Sequence, residues 1–183
     1  MGYEIALNKA WEGLGGQKGK NRLTVKFLGD EYDIDIEARK VLSMACNVPA
    51  RDFTAILILH YLASKAKGLP EVTGEWFDFR EISGVEGYSS AFRKRSIEPV
   101  VRKYGKEPKG LLSALERLPG KKTDKGDAGI ILDAFEGVPV LVTLWAGDDE
   151  FSPEANLLFD KSIRGIFSTE DIVVLAGLCA ASV

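Results

Sequence analysis

Arg22-Leu23-Thr24-Val25-Lys26-Phe27, then Leu28-Gly29-Asp30, then Glu31-Tyr32-Asp33-Ile34-Asp35-Ile36: this stretch decides the fold class. Polar and apolar residues alternate on both sides of a Gly-Asp turn, the pattern of two antiparallel strands with one buried face. Residues 40–44 read as a third strand. Residues 129–135 and 138–145 flank Glu136-Gly137 as a second hairpin, and residues 155–160 add a further strand. Residues 76–80 read as a strand between the two groups.

Helical spacing surrounds these hairpins. Residues 3–11 carry an apolar stripe, and Gly13, Gly15 and Gly16 end that helix. Pro49 opens a helix that runs to about Lys67 and stops at Gly68 and Pro70. Phe53, Ile56, Leu57, Ile58, Leu59, Tyr61 and Leu62 make it apolar nearly all round, so it is expected at the centre of the core. A loop with Gly84 and Gly87 leads into a basic helical stretch interrupted at Pro99. A short helix spans residues 108–118, and residues 119–127 read as a polar loop. Ser168 or Thr169 caps a last helix, with Glu170 and Asp171 in its first turn. The expectation is an α+β fold. It has a mainly antiparallel sheet built from hairpins, packed against a central buried helix and a C-terminal apolar helix. One domain, residues 1–183, is expected.

Composition narrows the function classes. The chain has 183 residues, 45% apolar and 28% charged, which is ordinary for one globular domain. Cys46 and Cys179 are too few for a disulfide scaffold, and the single histidine, His60, excludes a histidine-rich metal site made by one chain. The start lacks a signal-peptide pattern. The longest apolar runs, residues 55–59 and 172–181, fall short of the roughly 20 residues that a membrane helix needs. A cytoplasmic protein with reduced thiols and no membrane partner is expected.

The charge is bipolar. Residues 88–125 hold eleven cations against four anions, and residues 127–160 hold eight anions and no cation. Such a chain can steer an anionic ligand or neutralise itself within the fold. With a pI of about 5.4 and no recognisable recognition module, nucleic acid is not an expected partner.

Four motifs invite chemistry. Residues 13–20 are glycine-rich and end in Gly19-Lys20. A phosphate loop would need glycine where Leu14 stands and Ser or Thr where Asn21 stands, so they read as a connection. Asp148-Asp149-Glu150 reads as an acidic surface turn. His60 lies on a face with Phe53, Ile56 and Leu57 and reads as a core histidine with one hydrogen bond. Its catalytic alternative is a base working with a carboxylate such as Glu75 or Asp148, with Cys46 the nearest thiol upstream. The strongest candidate is the segment from Gly84 to Arg95. Its glycines allow close backbone approach, Ser89 or Ser90 can cap the helix, and Arg93 and Arg95 add charge-assisted contacts to an anion. Trp76 and Tyr88 can supply flat apolar walls. The leading expectation is a non-catalytic binding or accessory module for a small anionic molecule or cofactor. The alternatives are an enzyme using His60 and an interaction subunit pairing through the C-terminal helix. That helix has no polar residue from Ile172 to Ala181, so its own fold or a second copy in a homodimer must cover it.

Four blocks carry a resemblance: FTAILILHYL (53–62), TGEWFDF (73–79), GYSSAFRKRSIEP (87–99) and LWAGDDEFSPEANLLFD (144–160). On these the chain resembles the uncharacterised prokaryotic domain-of-unknown-function family 3786 over nearly its whole length. The resemblance implies no catalytic residue. Some relatives carry cysteine-rich segments suited to iron–sulfur clusters, and this chain has no such segment.

Overall fold

The computed structural model describes residues 3–14, 21–82 and 84–183. Among the described residues, two antiparallel sheets and five α-helices make an α+β fold. The glycines 15 and 16 and the lysine-bearing end of the glycine-rich motif lie outside the described residues.

The first sheet has the order β1-β2-β3-β4. Strands β1 (Arg22–Phe27) and β2 (Asp30–Asp35) form the hairpin read from alternation, with Val25 opposite Tyr32. Leu28 and Gly29 make its turn at positive φ. Strand β3 (Lys40–Ser43) pairs with β2, and β4 (Val48–Pro49) pairs with β3. Pro49 therefore does not open a helix. Proline is tolerated on an edge strand, where its missing N–H breaks no ladder. The helix α2 (Asp52–Lys67) starts three residues later. Gly13 likewise stays inside α1 (Glu4–Leu14) rather than ending it.

The second sheet has the order β5-β9-β8-β7-β6. Its centre is the second hairpin, β7 (Ala128–Phe135) and β8 (Val138–Trp145), flanked by β9 (Glu154–Asp160). Strand β6 (Gly120–Thr123) lies in the segment expected to be a polar loop. It is an exposed edge strand, so its lysines and glycine hide the usual apolar alternation. Strand β5 (Trp76–Asp78) is shorter than residues 76–80. Asp78 stops it by capping a 3-10 turn, Phe79–Glu81, in a capping box.

One face of this sheet carries Phe77, Phe159, Leu157, Val140, Val142, Ile130 and Leu132, all at most 1% exposed. Against it pack the helices, including α2 and α5 (Thr169–Ser182). The small sheet joins at the end of β7, where the Leu28 N–H donates to the Ala134 carbonyl at 2.9 Å and Phe27 stacks on Phe135 at 4.5 Å. Leu141 is fully buried yet lies outside this contiguous core, on the other face of the sheet. There the backbone of Lys125 crosses Gly129, where a Cβ would sit 2.4 Å from the Lys125 carbonyl. The Lys125 ammonium then reaches 6.0 Å from the centre of the Trp76 ring.

The basic segment is one continuous helical run. Helix α3 (Ser89–Phe92) passes into a π-helical segment, Arg93–Ile97, and then into α4 (Glu98–Tyr104). Pro99 does not interrupt it. Pro99 sits directly after the π segment, whose i→i+5 bonding, seen in the Glu98 N–H donating to the Arg93 carbonyl, makes room for a residue without an N–H. The widened π turn supplies the break. The expected helix over 108–118 is a 3-10 segment, Pro108–Glu116.

Candidate functional site

The segment singled out from sequence forms one wall of a groove. Ser89, Ser90, Phe92, Arg93 and Ile97 face Asp78, Phe79, Arg80 and the first half of β9 across a cavity of about 350 Å³. A second cavity of about 360 Å³ shares Arg93, Ile97, Glu154 and Ala155 with it and extends to Val101, Arg102 and Pro153. The groove exists because β5 is three residues long and β9 is seven. Beyond Asp78 the chain turns away, and residues 154–157 of β9 lose their neighbour on that side. The α3–α4 run stands in its place. The floor is apolar, with Phe79 and Phe92 stacked at 4.3 Å.

Three arginines border the groove. Arg80 is held by Asp78, with Nε at 2.9 Å from Oδ1 and an NH2 nitrogen at 3.0 Å from Oδ2. Burial pushes the Asp78 carboxyl up, but the Arg80 guanidinium and backbone N–H outweigh it and hold it below the usual carboxylate range. Arg93 makes a loose pair with Glu98 at 3.8 Å, and both side chains are exposed. Arg102 has no ion pair among the described residues. Glu154 is the remaining acid on the wall. Opening the Arg93–Glu98 contact breaks no buried ion pair.

The structure separates the other residues of the sequence-based candidate. Trp76 lies on the far face of the sheet beneath Lys125. The Tyr88 hydroxyl donates to Glu170 at 3.1 Å. Arg95 is exposed, and its Cβ lies 3.9 Å from the position of a Cβ built on Gly177 of α5. Neither serine caps the helix: the Ser89 hydroxyl donates back to the Val85 carbonyl at 3.3 Å, and the turn Glu86–Tyr88 precedes α3. Of the groove's arginines, sequence reasoning passed over Arg102 and Arg80. The Asp-x-Arg spacing at 78 and 80 was the only signal for Arg80.

His60 is half-buried and does make a hydrogen bond to one residue, but its partner is Asp171. Nδ1 faces both carboxylate oxygens at 2.9 and 3.0 Å and so carries the proton. Asp171 belongs to the capping box of α5: its Oδ2 accepts from the Ser168 N–H at 3.1 Å and hydroxyl at 2.8 Å. The hydrogen bond to Asp171 raises the His60 pKa against the opposing effect of burial. Glu75 is bound instead to Lys161 at 2.6 Å, and Asp148 Oδ1 accepts the Glu150 and Phe151 N–H groups. The structure therefore gives His60 neither carboxylate named with it from sequence. Cys46 is exposed after β3.

Asp160 is a second buried carboxylate, 1% exposed. It accepts the Thr73 N–H and hydroxyl at 3.0 Å, the Gly74 N–H at 2.6 Å and the Ser162 N–H at 2.9 Å. Burial raises its pKa, but these donors outweigh burial and bring it down to about 2. It is a structural clasp joining the irregular segment before β5 to the turn after β9. Among the described residues no group of three or more metal-ligating side chains is gathered, and no helix is long and apolar enough to cross a membrane.

Residues 6–182 match the family described as domain of unknown function (DUF3786). The chain belongs to that family. Its TGEWFDF block is the Asp160 clasp and the start of the groove, and its GYSSAFRKRSIEP block is the opposite wall. Three of the four blocks quoted from sequence, 73–79, 87–99 and 144–160, contribute residues to the groove, and the fourth, 53–62, lies in α2. No curated protein and no solved structure matches the chain.

Proposed function

We propose that this DUF3786 domain is a binding module for a small anionic molecule, held in the groove between β9 and the α3–α4 run. One observation carries the reading. Ser89, Ser90 and Arg93, picked out by sequence, share a cavity with Arg80 over a floor of stacked phenylalanines. Hydroxyls and guanidinium groups at the rim suit phosphate or carboxylate oxygens, which guanidinium groups bind in bidentate fashion. The apolar floor suits the body of the molecule. The steering field of the basic segment, eleven cations against four anions over residues 88–125, favours the same sign of ligand. No ion pair joins that segment to the acidic residues 127–160 among the described residues, so its charge stays available.

The test is thermal unfolding with inorganic phosphate, citrate or ATP at millimolar concentration. A ligand bound only by the folded state raises the midpoint by mass action. At least one anion should stabilise the wild-type chain. The Arg80→Ala, Arg93→Ala double variant should lose that shift, and Arg95→Ala should keep it. Equal shifts in wild type and double variant would reject the groove as the site.

A further inference from the structure

We infer that a second ligand site lies between α1, the start of α2 and the end of the four-stranded sheet, and that it takes an aryl acid: an anionic group on a flat apolar body. The cavity there measures about 300 Å³, near the lower end of the range typical of small-molecule sites. It shares no lining residue with the groove above.

Its wall is apolar. Leu7 and Trp11 come from α1, Ala55 from α2, and Val41 and Pro49 from the sheet. Trp11 is 6% exposed, so its ring is fixed in place. Its polar rim is sorted by pairing. Arg22 lies 3.4 Å from Asp33 and 3.5 Å from Asp35, which accounts for three of the six charges. The Ala38 N–H, donating to Asp35 at 2.8 Å, and Arg22 hold the Asp35 carboxyl below its usual value against burial. Arg39, Lys40 and Asp52 remain, none with an ion pair among the described residues. Arg39, at a φ of 50° after the β2–β3 turn that Asp35 closes, and its neighbour Lys40 both line the cavity and are exposed. The six charges of the rim sum to zero, so an anion is selected locally, by Arg39 and Lys40, the adjacent cations with no carboxylate within 4.0 Å among the described residues. A bare inorganic anion leaves the tryptophan wall unfilled, and a neutral hydrocarbon leaves the cations unused. An aryl carboxylate or sulfonate satisfies both.

The test uses 2-naphthoate as the probe, titrated by calorimetry at low salt. Wild type should bind one equivalent. The Arg39→Ala, Lys40→Ala variant, altered at two exposed positions, should bind about tenfold more weakly or not at all, because two charge-assisted contacts are lost. Asp52→Asn removes the opposing charge and should tighten binding a few-fold, a gain that damage to the fold cannot produce. Arg93→Ala should bind as wild type. The inference is overturned if wild type shows no saturable binding. It is equally overturned if the double variant binds as wild type, or if Arg93→Ala alone abolishes binding, which would put the probe in the other groove and leave that reading standing.

Discussion

At the residue scale Asp160 and His60 respond to pH in opposite ways. Asp160 has its pKa lowered to about 2, so its contribution is complete above the unfolded value and is lost as pH falls through the folded one. A shift of that size corresponds to about 2 kcal/mol. Urea midpoints of wild type and Asp160→Asn should therefore converge between about pH 4 and pH 2 and stay apart at neutral pH. The variant itself should cost about 2–4 kcal/mol at pH 7, because four donors lose a charged acceptor. His60 has the reverse sign. Its pKa is raised by Asp171, so its stabilisation is complete below the unfolded histidine value and fades as pH rises through the folded one. The side chain is 37% exposed, so solvent screening holds the effect to about 0.5–1 kcal/mol. The gap between wild type and His60→Gln should be larger at pH 5.5 than at pH 8.5. An unchanged gap would mean that the contact with Asp171 stays uncharged. Neither aspartate was legible as a partner from sequence, since Asp171 lies 111 residues from His60 and no local spacing announces such a pair.

At the element scale, what could be read was what is local in sequence. The first hairpin follows from alternation, the second from two apolar runs around Glu136-Gly137, and α2 and α5 from apolar runs bounded by helix start and stop signals. What could not be read was set by neighbours. Strand β6 has a lysine-rich sequence and exists because β7 offers it a ladder. Pro49 and Pro99 carry the same ring, and their different places, an edge strand and a helix start, depend on what each segment packs beside. The groove was half legible for the same reason: the serines and Arg93 sit in one segment, whereas Arg80 arrives through the capping box at Asp78. Two substitutions probe the elements. Leu57→Ala should cost about 2–5 kcal/mol in denaturant unfolding, since the side chain is fully buried and leaves a cavity. Gly120→Ala should destabilise by more than about 1 kcal/mol, because the backbone stands at a φ of 157° and a Cβ would sit 2.2 Å from the Ile131 carbonyl. A tolerated alanine there would show that the β6 edge can slide away from β7.

At the scale of the whole molecule, the apolar C-terminal helix finds its cover within the chain. Ile172, Leu175, Ala176 and Cys179 of α5 are buried, with the π segment and α2 as neighbours, and Val174 and Leu178 are half-exposed. Covering this helix therefore does not require a second copy. Leu178→Asp should leave the chain folded, with an unchanged sedimenting mass. A shift of the wild type from a larger species to a monomer would show that the half-exposed stripe is an interface. The sheet built around this core has an uneven history along the chain. Strands β6, β7, β8 and β9 follow one another as a meander, each pairing with the next, whereas β5 comes before all of them and pairs with the last. Loop-closure entropy must be met before distant pairs form, so the four-strand meander can close early and β5 must wait for β9. The Asp160 clasp and the groove both need β5 in place. A chain in the act of folding therefore completes this groove late, once β5 has paired with β9, and substitutions at Phe77 should speed unfolding while hardly slowing folding.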